Sequence, residues 1–187
     1  MAVLSRSGHR AFSSKLRSMP SHSKQAVHPV DEGSWLYMGF GHFGSTEDRD
    51  GDGLKARLTA ALEAGGWATA RWSRAAEGRS DPGRLLEGMS DAVSHADVVV
   101  IHAGSNSPMS HAELALAYSH RRPIIGIRMF GEEPPAELQG MLSFYERARV
   151  VTCVDADDCI ARVNEVLADP DFGETIRLSS AERNVDA

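Results

Sequence analysis

Seven residues in the middle of the chain, Ser107-Pro108-Met109-Ser110-His111-Ala112-Glu113, combine a helix start with side chains that suit an anion or a sugar. Serine followed by proline reads as an N-cap and a first helical residue. The N–H groups of that first turn have no partner within the helix and form a ready anion site. Glu113 is the single charge between Ala112 and Ser119. A carboxylate on a helix that faces an α/β core is costly unless it is paired or used. Ser110 precedes it by three residues, so both side chains can face one crevice. The competing account is that Glu113 reaches solvent or pairs with Arg121 or Arg122 beyond the helix end.

A second stretch, Gly39-Phe40-Gly41-His42-Phe43-Gly44, follows the apolar run Trp35-Leu36-Tyr37-Met38 and matches the pattern GxGxxG. A dinucleotide fingerprint needs a helix that opens inside the glycines, so that its N-terminus meets a pyrophosphate. Here the glycines run into Ser45–Gly53, which carries Glu47, Asp48, Asp50 and Asp52, and helical spacing begins only near Leu54. The acid expected after the second strand to hold a ribose is replaced by Ser73-Arg74. The context therefore argues against NAD(P) binding. Phe40, His42 and Phe43 among the glycines suit instead a wall against a flat ring.

Other chemistries fail on spacing. His111-Ala112-Glu113 resembles the HxE of zinc deaminases, but no PCxxC follows to complete a metal shell. HExxH and GxSxG are absent. The two cysteines, Cys153 and Cys159, supply neither a disulfide framework nor a metal site. The reading is an activity without metal or redox cofactor.

The 187 residues, 42% apolar and 25% charged, suit one soluble globular domain with tails, and no apolar run is long enough to span a membrane. Residues 1–30 hold Arg6, Arg10, Lys15, Arg17 and Lys24, seven serines and no acid. Removing those five from 20 basic residues leaves 15 against 26 acidic ones, a charge near −11 on the remainder. Such a body disfavours nucleic acid, whose binding rests on neutralised phosphates. The leader, residues 1–33, has the composition of a disordered start or of an organellar transit peptide. The protein is expected in the cytoplasm, or in an organelle if that leader targets it. The stretch 170–187 is polar and weakly patterned and reads as a flexible tail.

Between these ends, candidate strands at Ser34–Met38, Trp67–Trp72, Asp97–His102, Pro123–Arg128 and Ala148–Val154 alternate with helical patterns. The helices are expected at Leu54–Ala64, Arg84–Ser94, Pro108–His120, Leu138–Arg147 and Asp157–Ala168. Runs such as VVVI and PIIGI are apolar throughout, as parallel strands covered on both faces should be. The alternation predicts a doubly wound α/β domain over residues 34–169, with the flavodoxin-like strand order 2-1-3-4-5. Ligands in such sheets bind beyond the strand C-termini where the order reverses, between strands 1 and 3. The glycine loop and the segment before Pro108 would face each other there.

These residues resemble the nucleoside 2-deoxyribosyltransferase family and its nucleotide N-glycosidase relatives, from about Trp35 to Leu167. The resemblance rests on Leu36–Phe43, on Ala96–Val100, on Ser107–Glu113, and on the small-residue helix leading into Arg122–Ile127. SPMSHAE is similar to the SPGTHxE of members that cleave pyrimidine nucleoside monophosphates. The resemblance implies that Glu113 attacks C1′ of the sugar and releases the base. It implies that Ser107 and Ser110 bind a 5′-phosphate or a sugar hydroxyl, with His111 orienting it. Gly39, Phe40, Gly41 and Phe43 would shape the base pocket. Water as acceptor gives hydrolysis and a second base gives transfer. Homo-oligomers are usual in the family.

Two departures stand out. The family has an aspartate eight residues before the position of Asp97, where this chain has Met89, and Glu87 and Asp91 are the nearby acids that could serve as helpers. Both are two residues out of register, a rotation of about 200° on a helix. The family's glycine before SxxE is Met109. TIR domains share a serine six residues before a catalytic glutamate, as Ser107 precedes Glu113, but with a tryptophan where Met109 stands. That resemblance implies NAD cleavage or signalling. A nucleotide-binding module without turnover is the third reading.

Overall fold

Strand β1 (Trp35–Gly39) begins a chain path in which each strand is followed by a helix that returns over the sheet. A computed structural model describes residues 34–39, 49–70, 82–104 and 106–185. The further elements are α1 (Arg49–Ala64), β2 (Ala68–Ala70), α2 (Pro82–His95), β3 (Val98–His102), α3 (Pro108–Ser119), β4 (Ile124–Met129), α4 (Ala136–Phe144), β5 (Ala148–Cys153), α5 (Ala156–Ala168) and α6 (Pro170–Val185). The five strands are all parallel, in the order β2-β1-β3-β4-β5. This is the single flavodoxin-like α/β domain that the alternation predicts. Residues 1–33, with the leader, and the loop residues Phe40–Asp48 lie outside the described part.

The apolar strands divide their side chains between two cores, as strand alternation requires. Val98, Val100, Ile125 and Ile127 pack with Leu58, Leu62, Val163 and Phe172, on the side of α1, α5 and α6. Val99, Ile101 and Ile124 pack with Met89, Leu114, Leu138 and Leu142, on the side of α2, α3 and α4. Gly39 pairs in register with Ile101. Strands β1 and β3 therefore end level, and the order reverses between them.

Three expectations change. Helix α1 begins at Arg49 rather than near Leu54, so Asp50 and Asp52 belong to its first turns. Helix α4 stops at Phe144, because Tyr145 takes an extended conformation. The stretch 170–187 is not a flexible tail through Val185, since α6 buries Phe172 and Ile176 in the core.

Polar ties hold α6 to the sheet's N-terminal edge. Ser180 Oγ donates to Asp97 Oδ1 at 2.6 Å, while Asp97 Oδ2 accepts from the Trp35 N–H at 2.8 Å. Buried Arg122 donates to the carbonyl and hydroxyl oxygens of Ser179, and Arg147 pairs with Glu182. Asp97 and Arg122 are thus occupied at the edge opposite the crevice.

Candidate active site

Helix α3 starts as its sequence dictates. Ser107 is the N-cap, its Oγ accepting from the Met109 N–H at 3.2 Å, and Pro108 occupies the first turn. One face of the helix is buried through Ser110, Glu113, Leu114 and Ala117. Glu113 is 4% exposed, so it does not reach solvent.

What holds the carboxylate comes from β1. The Tyr37 hydroxyl donates to Glu113 Oε1 at 3.1 Å. Gly39 supplies the space. A Cβ there would lie 2.6 Å from Glu113 Cδ, 2.7 Å from Oε2 and 2.8 Å from a Tyr37 ring carbon. The first glycine of GFGHFG is therefore required by close approach of the glutamate. No positive φ is involved, and no pyrophosphate is needed to explain it. The resemblance implies a place for Gly39 in the base pocket; the structure shows it against the Glu113 carboxylate.

Tyr37 is fully buried, and its phenol is held well above its ordinary value near 10, by burial first and by the Glu113 charge second. It stays a donor at every physiological pH. A group whose folded value is raised contributes stability that is present below its unfolded value and lost as pH rises beyond it. Unfolding free energy should therefore fall from about pH 10 upward, as the unfolded chain ionises this phenol and the folded one does not. Tyr37→Phe should flatten that limb in denaturant titrations between about pH 9 and about pH 11. Parallel limbs in the two proteins would contradict this role.

Ser110 is fully buried, and among the described residues its Oγ has no hydrogen-bond partner. It stands one turn before Glu113 at the open end of α3. Ser107 differs, because its hydroxyl already caps the helix. Half-buried His111 has Nδ1 3.1 Å from the Ser107 carbonyl oxygen. A carbonyl only accepts, so Nδ1 carries the proton and Nε2 remains as the second polar atom of the ring. Phe40, Gly41 and Phe43 lie outside the described residues.

The helper acids are not brought to the site. Met89 is fully buried in the core that contains Tyr37, whereas Glu87 and Asp91 are exposed on the outer side of α2. The Asp91 carboxylate lies 3.5 Å from His95 Nδ1 at the surface. The physical reason is the two-residue offset, which turns both acids away from the face that Met89 occupies.

Sequence reasoning missed Tyr37 as a partner, because a tyrosine in an apolar strand reads as core. It also missed a pair at the same sheet edge. His102 Nε2 lies 3.0 Å from both oxygens of Glu132, and Glu132 Oε2 accepts from the Met129 N–H at 2.7 Å. Gly104 makes room for that carboxylate. By strand alternation His102 belongs to the face opposite Glu113, and 30 residues separate the partners, so no local motif announces them. Among the described residues no cluster of three His, Cys, Asp or Glu could hold a metal, and no helix is long and apolar enough to cross a membrane.

The chain matches no protein-family model and no curated protein. Solved structures do resemble it. The CMP N-glycosidase BcmB of Clostridium botulinum aligns with a TM-score of 0.56 at 14% identity, over 71% of this chain and 98% of that one. A conserved protein from Enterococcus faecalis V583 aligns with a TM-score of 0.51 at 12% identity, over 71% and 98%. The likeness is one of fold. An oxidoreductase from Corynebacterium diphtheriae aligns with a TM-score of 0.39 at 19% identity, over 81% and 99%, too low to bear on the site.

Proposed function

We propose that the protein is an N-glycosidase of nucleoside 5′-monophosphates, pyrimidine ones first, with Glu113 as nucleophile. The observation that carries this is the buried Glu113 carboxylate, tied by Tyr37 and seated on Gly39 at the switch point. The likeness in fold to a CMP N-glycosidase supports the same reading. Nothing in this chemistry calls for a metal or a redox cofactor.

In this reading the monophosphate meets the N–H groups at the start of α3 and the Ser110 hydroxyl. That places C1′ near Glu113. A Glu113 oxygen bonds to C1′ as the C1′–N bond breaks, its electron pair leaving with the base, which then takes a proton. The transition state is oxocarbenium-like, and a carboxylate both stabilises and traps it. Water then cleaves the glycosyl ester and returns the carboxylate; a second base in place of water gives transfer. Tyr37 orients Glu113 and does not touch the sugar. The departing base takes its proton from a group other than Met89, Glu87 or Asp91.

Incubating the protein separately with CMP, dCMP, dUMP, AMP and NAD, and separating free base by chromatography, tests the reading. Cytosine or uracil release from a monophosphate is expected, with no nicotinamide from NAD. In binding assays Ser110→Ala should weaken monophosphate affinity by about tenfold, the worth of one charge-assisted hydrogen bond. Ser107→Ala should act mainly on the fold, costing about 1 kcal/mol of helix capping. Equal wild-type affinity for nucleoside and monophosphate would remove the anion site. Nicotinamide release alone would move the assignment to the TIR-like reading. The buried Met89 favours one alternative, a nucleotide-binding module without turnover, which would bind monophosphates and release nothing.

A further inference from the structure

A polar cavity of about 230 Å³ lies beneath α4 over strands β4 and β5, and includes Arg128, Gln139, Ser143 and Thr152 in its lining. Ligand pockets for drug-sized molecules run to roughly 300–1,000 Å³. This one is scaled to an ion or a very small molecule.

Two features suggest that it is built for something. Arg128 is half-buried, and its Nε and Nη2 both donate to the neutral Thr152 Oγ1, at 3.2 and 2.8 Å. Among the described residues no carboxylate pairs with it, whereas Arg57, Arg147, Arg162 and Arg177 each hold one. A guanidinium withdrawn from water without a counter-charge is costly. The second feature is Gly126, in the middle of β4. A Cβ there would meet Ala103 and Leu142 at 3.3 Å and Val150 at 3.5 Å, three residues that all line the cavity. The missing side chain keeps the floor open.

We propose that this cavity binds a small tetrahedral oxyanion, inorganic phosphate or the phosphate of a monoester, with Arg128 as the charged contact. Thr152 already occupies the Nε edge that a carboxylate uses for a parallel two-bond pairing. The donors left are the outer guanidinium nitrogens, the Ser143 hydroxyl and the Gln139 amide, which approach from different sides. An ion with several acceptor oxygens satisfies such a set better than a planar one. The site is separate from Glu113 and does not depend on the N-glycosidase reading.

The test is a titration of the isotopically labelled full chain with inorganic phosphate, glycerol 3-phosphate and acetate, following backbone amide resonances without any nucleotide. Phosphate should shift the amides of Arg128, Ser143 and Thr152 saturably. Arg128→Gln should weaken that response by about tenfold or more. Should Arg128→Gln fail to fold, Ser143→Leu, at an exposed α4 position, fills the cavity while leaving the Arg128–Thr152 bonds in place, and should abolish the response. Whichever of phosphate and glycerol 3-phosphate binds more tightly identifies the natural source. Shifts confined to residues 106–113, a response undiminished in both variants, or acetate binding as tight as phosphate would each overturn the proposal.

Discussion

Glu113→Gln should abolish base release, by roughly 10³-fold or more, while the protein stays folded. The amide keeps the shape of the side chain, and its oxygen can still accept from the Tyr37 hydroxyl, which donates to Oε1 at 3.1 Å in the native protein. What it loses is the negative charge that bonds to C1′. Stability should hold or rise, because a neutral amide is cheaper to bury than a carboxylate at 4% exposure. Base release is followed by chromatography and folding by thermal denaturation. A folded Glu113→Gln protein with native turnover would remove Glu113 from the chemistry. Undiminished monophosphate binding by that same variant would show that the anion site and the nucleophile act separately.

Gly39→Ala should be nearly as damaging, although it adds only a methyl group. The new Cβ would lie 2.6 Å from Glu113 Cδ and 2.8 Å from Tyr37, on a strand held on both sides by parallel neighbours. The carboxylate must move, and a displacement near 1 Å at a reacting group costs on the order of 10²-fold in rate. Overpacking should also cost about 1–3 kcal/mol of stability. Gly140→Ala is the control, since a Cβ there meets nothing within 4 Å. Combining Gly39→Ala with Glu113→Ala should recover part of the lost stability, because removing the carboxylate relieves part of the clash. Native turnover in Gly39→Ala would mean that the carboxylate position does not matter. That would sink the geometric argument for Glu113.

Much of this protein is legible without coordinates. All-apolar runs such as VVVI and IIGI can only be strands covered twice, and their alternation with helical patterns leaves one economical sheet order. Ser107-Pro108 announces the start of α3, because N-cap and first-turn preferences are local. Asp155 does the same for α5, where its carboxylate accepts from the Asp158 N–H at 2.8 Å. Glu113 stands out as a lone charge in an apolar helix, and helical geometry alone foresees that residues 87 and 91 turn away from where residue 89 points.

Tertiary structure decided the rest, wherever partners lie far apart in sequence. Tyr37 meets Glu113 across 76 residues, and neither residue type names the other. Gly39 reads as one glycine of a GxGxxG stretch, and the glutamate that stands where its Cβ would be lies on a different element. Helix α6 escaped notice because its buried stripe, Phe172 and Ile176, continues into Ser179, a serine whose reason is the Arg122 guanidinium 57 residues away. His102 and Glu132 pair because β3 and β4 lie side by side in the sheet. Local sequence sets propensity, caps and which face is apolar, since those depend on neighbours within a turn or two. Which polar groups end up sharing one buried space depends on long-range register, and that exists only once the sheet has formed.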